Sequence, residues 1–168
     1  RKKKQKRTVR REMIPHRISL ENRPKKGEHA EGDIFVSPLK TGVKRSGAIV
    51  CVPSAQLLAG RMIANKKPAT MARAIRQIDS EISIADLTMD NGLENKNHEQ
   101  FGLPVYFADP HSPWQKPHVE NNIGLLRRWF IKKGTNLQAV SDQRLQKYLR
   151  ILNGKYRKSL GYQSAYEA

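Results

Sequence analysis

The sequence has few acidic side chains and a single cysteine. Its 168 residues include 15 Asp and Glu against 32 Lys and Arg, which gives a formal net charge of +17. Cys51 alone excludes an internal disulfide, and its place in the apolar run 48–52 predicts a small buried residue. The excess of positive charge favours a polyanionic partner, most commonly nucleic acid, over a protein that is merely basic.

Long hydrophobic runs are also missing. Hydrophobic residues make up 38% of the chain, and no apolar stretch approaches the roughly 18 residues that suggest a membrane-spanning helix. The sequence shows neither a signal peptide nor a long basic amphipathic helix. We therefore expect a cytoplasmic protein without a membrane partner. Because the chain does not begin with Met, we also expect further sequence upstream.

Several familiar catalytic and binding motifs are absent. The five histidines do not have the spacing of zinc ligands, and one cysteine cannot form a thiolate cluster. There is no Gly-rich phosphate loop followed by Lys-Ser/Thr and no nucleophile elbow. These absences argue against a zinc site, a P-loop nucleotide site and an α/β-hydrolase-type active site.

Composition divides the chain into three parts. Residues 1–28 are strongly basic and contain proline and glycine, so we predict a basic linker or tail that is largely disordered without a polyanion. Residues 29–135 carry the patterns of a folded core. Residues 136–168 are predicted to form a C-terminal helix and a basic tail.

The core pattern predicts a mixed α/β sheet of about five strands with packed helices. The expected strands are 31–36, 47–52, 57–64, 84–89 and 104–108, and a helix is expected from Pro68. We expect a loop over 110–117, a helix from Val119 and a last helix over 142–153. The link between the third and fourth strands is long enough for a crossover, so the first and fourth strands can be neighbours.

Three of the scarce acids occupy informative positions. Asp33 lies inside an apolar strand, where an unpaired carboxylate is costly to bury, and Asp90 ends another strand. Glu120 begins a helix. A cation between close carboxylates would remove their repulsion, and Mg²⁺ prefers such oxygen ligands. The alternatives are that Asp90 only caps a turn and that Glu120 only complements a helix N-terminus.

Several short motifs occur in order and resemble a known family. They are E-G-D (31–33), D-N-G (90–92), F-A-D-P-H-S-P-W-Q (107–115), E-N-N-I-G-L-L-R (120–127), K-G-T (133–135) and R-K-S-L-G-Y (157–162). Over about residues 12–168 the chain resembles the catalytic region of DDE transposases of bacterial insertion sequences, specifically the IS30 family. The family's upstream helix-turn-helix region is not in this chain.

The resemblance implies an RNase H-like (retroviral integrase-like) core at 29–135 that has helices on both sheet faces. It implies that Asp33, Asp90 and Glu120 are catalytic and hold two Mg²⁺ or Mn²⁺ ions. The partners implied are the transposon ends and target DNA, in a homo-oligomeric complex on the bacterial nucleoid. The residues that we expect to contact DNA are Trp114, Gln115, Lys116, Asn121, Arg127, Arg128, Lys132, Lys133, Arg157 and Lys158.

Three functions remain in competition at this stage. The first is a metal-dependent transposase that nicks DNA and transfers strands. The second is a non-catalytic nucleic-acid-binding remnant of such an enzyme, and the third is a metal-dependent nuclease of the same fold. Trp114 either stacks on an unpaired base or packs under its loop, whereas we expect Phe107 and Trp129 in the core and His118 in an exposed loop.

Overall fold

Five strands form one mixed sheet in the computed structural model, which describes residues 10–168. The strands are β1 (Ala30–Val36), β2 (Ser46–Val52), β3 (Leu57–Ile63), β4 (Leu87–Met89) and β5 (Val105–Phe107). The sheet order is β3-β2-β1-β4-β5; β1 pairs antiparallel with β2 and parallel with β4. The five predicted strands are confirmed, as is the adjacency of the first and fourth, although β4 begins at Leu87 rather than Ile84.

Three α-helices accompany the sheet. They are α1 (Pro68–Ile82), α2 (Pro117–Trp129) and α3 (Asp142–Asn153). The predicted bounds of α3 are confirmed. The helix begins at Asp142 because the Ser141 side chain caps it, accepting a hydrogen bond from the Arg144 amide at 3.1 Å. No helix formed by residues 10–168 is both long and apolar enough to cross a membrane.

The start of α2 differs from the predicted loop over 110–117. Pro117 is the first residue of the helix, because the fixed φ of proline suits that position and its missing N–H costs nothing there. His118 is therefore in the first helical turn and not in an exposed loop. Its Nδ1 lies 2.8 Å from Oε1 of Glu31.

The hydrophobic core has two halves, one on each face of the sheet. Alternate residues of β2 point to opposite faces, so Ala48 and Val50 pack with α1, whereas Ile49 and Cys51 pack with α2 and α3. Helices on both faces are thereby confirmed. Cys51 is buried as predicted, and that burial, followed by the negative charge of Glu31, raises the pKa of its thiol to about 12.

The described part of the predicted N-terminal linker runs along the sheet. Ile14 is buried, the Phe107 amide donates to the Ile18 carbonyl at 2.8 Å, and Arg23 donates to the Thr88 hydroxyl at 2.8 Å. From residue 12 onward this segment therefore differs from the expected disordered linker, because it pairs with the free edge of β5. Residues 1–9 of that predicted linker lie outside the described residues.

The predicted C-terminal part shares the core of the sheet. Leu137, Leu145 and Leu149 belong to the same buried cluster as Phe35 and Ile49. The helix α3 packs mainly on β3. The second half of the core therefore needs residues from both sides of position 136.

Candidate metal centre and nucleic-acid interface

The sheet brings Asp33 and Asp90 to neighbouring positions. The parallel pairing of β1 with β4 sets Glu31 opposite Thr88. Continuing this register by two residues sets Asp33 opposite Asp90, on strands that lie about 4.8 Å apart. Two residues that are distant in sequence thus reach neighbouring backbone positions where β4 ends.

The surroundings of Asp33 raise the pKa of its carboxyl group. Burial is the largest cause, and the negative charge of Asp90 raises the pKa further, whereas the ammonium of Lys116 lowers it. The Asp33 side chain keeps 22% of its exposure. It is therefore a partly desolvated carboxylate that feels a second negative charge and still reaches solvent.

Asp90 is held by the turn that follows it. Its Oδ1 accepts hydrogen bonds from the Gly92 amide at 2.9 Å and from the Asn95 side chain at 3.2 Å. Asn95 is buried and also donates to the Asp90 carbonyl at 3.2 Å. This turn fixes one oxygen of the carboxylate, which is the capping role that the sequence left as an alternative.

Sequence reasoning missed a third acid in this region, Glu94. Burial raises the pKa of its carboxyl group, and the charges of Asp90 and Asp33 raise it further, whereas Lys66 lowers it. The carboxylate folds back over Gly92, where a Cβ would collide with it. Its place four residues after Asp90, in the same turn, is the signal that would have found it.

Glu120 does not join these acids in the structure. It lies in the first turn of α2 with an exposed side chain. Over residues 10–168, no three His, Cys, Asp or Glu side chains are arranged to hold a metal ion. Asp33 and Asp90 thus belong to neighbouring paired strands, whereas Glu120 lies on α2 with an exposed side chain.

Another acid, Glu31, anchors the start of α2. Its buried carboxylate accepts from the Val119 amide at 2.9 Å and lies beside His118. No side chain of α2's own N-cap supplies such a bond, so Glu31 takes over that role from a neighbouring strand. Glu31, Asp33 and the buried Phe35 occupy every second position of β1. Side chains two residues apart share one face of a strand, so all three face α2.

Asp33 and Asp90 fit a divalent cation by the chemistry of their donors. Both offer hard carboxylate oxygens, and their mutual repulsion is what a cation would relieve. Mg²⁺ is commonly held by one or two carboxylates, with water and substrate phosphate completing the shell. The pair therefore suits one such ion, and a second ion needs a further carboxylate.

The chain is similar to transposases of insertion sequences over most of its length. It is 33% identical over 175 residues to the transposase for insertion sequence element IS1086 of Cupriavidus metallidurans, which covers 94% of this chain and 49% of that protein. It is 40% identical over 85 residues to transposase InsI for IS30A of Escherichia coli, which covers 48% of this chain and 22% of that protein.

The chain belongs to the IS30-like transposase family. This IS30-like chain spans about half the length of the curated relatives that it matches most fully, at 49% and 48% of their lengths. No model of a known protein family matches it.

Solved structures confirm the fold of this IS30-like chain. The catalytic core domain of BIV integrase superposes with a TM-score of 0.60 at 19% identity, over 84% of this chain and 93% of that one. A simian T-cell lymphotropic virus intasome gives a TM-score of 0.64 at 14% identity, over 83% of this chain and 53% of that one. The predicted RNase H-like, integrase-type sheet is confirmed.

The residues predicted to contact DNA fall into two groups in this IS30-like chain, those on the surface or in the loop before α2 and those that bind other elements of the protein. Trp114 is 71% exposed and does not pack under its loop. Gln115 is half-buried, and its side chain bonds the Asp109 backbone and carboxylate. The other residues with exposed side chains are Asn121, Arg128, Lys132, Lys133 and Lys158.

The residues of the second group, Arg127, Arg157 and Lys116, bind residues of other elements of the protein. Arg127 lies over the Phe35 ring and donates to the Val36 carbonyl at 3.3 Å, and burial lowers the pKa of its guanidinium. Arg157 donates to the Asn122 side chain at 2.8 Å, which ties the C-terminal segment to α2. Lys116, expected on DNA, is instead buried with its ammonium 3.4 Å from Asp33.

Of the two aromatics expected in the core, only Phe107 lies there. Phe107 is fully buried, whereas Trp129 is 59% exposed. The Trp129 ring is flanked by Arg128 at 5.4 Å and Lys155 at 5.9 Å. An aromatic between two cations at the end of α2 is a surface of the kind that stacks on bases and binds phosphates.

A basic groove near the acids was also missed in the sequence. It has a volume of about 500 Å³ and lies between the β1–β2 loop and the β3–α1 loop. Lys44, Lys66 and Lys67 line it with exposed side chains, beside the 96% exposed Leu39. One of these lysines, Lys66, also lowers the pKa of Glu94.

Proposed function

We propose that this chain is the catalytic part of a DDE transposase that nicks DNA and transfers the resulting strand ends. The observation that carries the proposal is that β1 and β4 are parallel neighbours in an integrase-type sheet and that the charge of Asp90 acts on Asp33. Membership of the IS30-like family supports DNA as the substrate. The net charge of +17 supports the same substrate.

Asp33, Asp90 and Glu120 would hold two Mg²⁺ or Mn²⁺ ions. When bound, such ions activate the attacking oxygen and stabilise the leaving oxygen of an in-line phosphoryl displacement. Asp33, whose carboxylate lies 3.4 Å from the Lys116 ammonium and feels the charge of Asp90, would be one of the residues that hold them. Glu120 lies in the first turn of α2, whose start Glu31 holds against β1.

The reaction has two steps at one site. In the first, water attacks the phosphorus of a phosphodiester at the transposon end, the P–O3′ bond breaks, and the cut leaves a 3′-hydroxyl and a 5′-phosphate. In the second, that hydroxyl attacks the phosphorus of a target phosphodiester, so that a new P–O3′ bond forms while the target's own P–O3′ bond breaks and leaves a 3′-hydroxyl on the target strand. Glu31 supports both steps indirectly, since its bond to the Val119 amide fixes the turn of α2 that carries Glu120.

Double-stranded DNA lies along the basic surfaces that flank the acids. One wall is the end of α2 with Trp129, Lys132 and Lys133, and the other is the groove of Lys44, Lys66 and Lys67. Trp114 offers an exposed ring in the loop before α2 for an unpaired base. We expect the active complex to be a homo-oligomer that works on the bacterial nucleoid in the cytoplasm.

Joining distinguishes this proposal from a nuclease. We expect the protein, with Mn²⁺ and a pre-cut transposon end that has a free 3′-hydroxyl, to yield branched products with target DNA on a denaturing gel. An end that carries a 3′-dideoxy nucleotide is the control, because it cannot attack. Hydrolysis without any joined species would contradict transfer and favour a nuclease.

The basic groove provides a second expected result. Replacing Lys44, Lys66 and Lys67 together with Gln should reduce the slope of log Kd against log salt by about 2–3, since each lost phosphate contact removes roughly 0.9. Lys147→Gln on the exposed face of α3 is the matched control. Fluorescence anisotropy with labelled duplex measures both. An unchanged slope would remove this groove from the DNA path.

A non-catalytic DNA-binding remnant is the second candidate function. The exposure of Glu120, outside the Asp33–Asp90 pair, is the observation that favours it. A remnant binds DNA with the same salt dependence but does not nick it in Mg²⁺ or Mn²⁺. The nicking assay on supercoiled plasmid therefore separates the two candidates directly.

A further inference from the structure

Lys116 is a buried lysine whose ammonium is directed at the acidic pair. The residue is only 5% exposed. Its Nζ donates to the Gly32 carbonyl at 3.1 Å and lies 3.4 Å from Oδ2 of Asp33. A buried ammonium is costly unless it is paired and hydrogen-bonded. The Gly32 carbonyl and the Asp33 carboxylate meet that requirement.

The backbone around Lys116 fixes this position. Lys116 is the N-cap of α2, with an extended φ of −135°, between the turn Pro113–Gln115 and Pro117. Its amide donates to the Pro113 carbonyl at 3.1 Å. The side chain is therefore aimed at β1 by a segment that proline restricts on both sides.

The carboxylates in this region repel one another, and a cation would relieve that repulsion. Asp33 faces the negative charge of Asp90, and Glu94 adds a third carboxylate to the same field. Lys116 supplies the positive charge closest to Asp33, and it lowers the pKa of that carboxyl group against the effect of burial. The ammonium thus neutralises the same carboxylate that a metal ion would bind.

We propose that Lys116 is a built-in counter-ion of Asp33 that a divalent metal must displace. This inference rests on the proposed function, since it assumes that Asp33 is a metal ligand. Without metal, the ammonium keeps the two aspartates close at tolerable electrostatic cost. Metal binding releases Lys116 from Asp33.

Lys116 is a positioning residue in this scheme and takes no part in the bond changes. A metal that competes with an ammonium binds more weakly than one that meets free carboxylates. The Lys116→Met variant keeps the length of the side chain without its charge. We expect it to bind Mn²⁺ about 10-fold more tightly, the ratio for losing one charge-assisted hydrogen bond.

Direct metal binding tests this by electron paramagnetic resonance of free Mn²⁺ with the whole chain and no DNA. Lys147→Met is the control for an exposed lysine, and Asp33→Asn is the control for loss of the site. Lys116→Arg should keep the weaker affinity of the parent protein, because its charge remains. Equal or weaker Mn²⁺ binding by Lys116→Met, when Asp33→Asn abolishes binding, overturns the displacement and leaves the proposed function standing.

A measurement on the unmutated protein covers the case in which Lys116→Met does not fold. We expect one slowly exchanging lysine ammonium signal in ¹⁵N NMR of the metal-free protein, and we expect Mg²⁺ to shift it toward the exchanging lysines. A signal that stays unchanged at saturating Mg²⁺ overturns the displacement. Absence of any Mn²⁺ binding that depends on Asp33 would instead overturn the proposed function, and the displacement with it.

Discussion

Replacing Asp33 or Asp90 with Asn is expected to lower DNA nicking by about 100-fold or more, because each change removes a negative ligand from the metal centre. Asn keeps one side-chain oxygen, so the bonds that Asp90 accepts from Gly92 and Asn95 can survive. The fold and DNA binding should therefore persist. Nicking of supercoiled plasmid in Mn²⁺ measures the loss, and anisotropy measures binding.

Glu120→Gln is the informative member of this series. We expect it to lose nicking to the same extent, about 100-fold, if Glu120 is the third metal ligand as proposed. Glu21→Gln, an exposed acid near the N-terminus, is the matched control. If Glu120→Gln is fully active while Asp33→Asn is inactive, Glu94 becomes the candidate for the third ligand, because the charges of both aspartates act on its carboxyl group. Parental nicking by all three variants would refute the catalytic assignment.

Asn153→Leu is expected to lower the free energy of unfolding by about 2–4 kcal/mol, because it leaves two buried backbone groups without partners. The Leu58 amide donates to the Asn153 side chain at 2.9 Å, and that side chain donates to the Leu58 carbonyl at 2.8 Å. Leu58 lies on β3, an edge of the sheet. Asn153 thus closes that edge in place of a further strand.

Thermal unfolding followed by circular dichroism measures this loss, with an expected fall in Tm on the order of 10 °C. Ile151→Ala on the same helix is the control, since Ile151 is 41% exposed and should cost far less. Similar destabilisation by both variants would show that helix propensity in α3, and not the bonds to Leu58, governs stability.

Local patterns in the sequence determined the secondary structure. Alternating and continuous apolar runs predicted all five strands, and the apolar face formed by Leu145, Tyr148, Leu149 and Leu152 predicted α3. Asp33 and Asp90 could be singled out because each stands in or at the end of a strand in a chain with few acids. These signals depend on residues within a few positions of one another.

Only the tertiary structure decided the partners of the charged groups. The bond from Lys116 to Gly32 spans 84 positions, and the bond from Val119 to Glu31 spans 88. The motifs around these residues predicted a DNA-binding lysine and did not single out Glu31. Similarly, the segment 12–28, which resembles a linker by composition, pairs with the edge of β5. The tertiary structure also places Trp129, at the end of α2, on the surface.

The physical reason is that burial and charge pairing depend on distances that the sheet order sets, whereas strand and helix formation depends on the neighbouring chain. The sequence by itself therefore determined the strands, the helices and the two aspartates. The folded sheet decided that a lysine neutralises Asp33, that Glu31 anchors α2, and that Glu120 stands outside the pair.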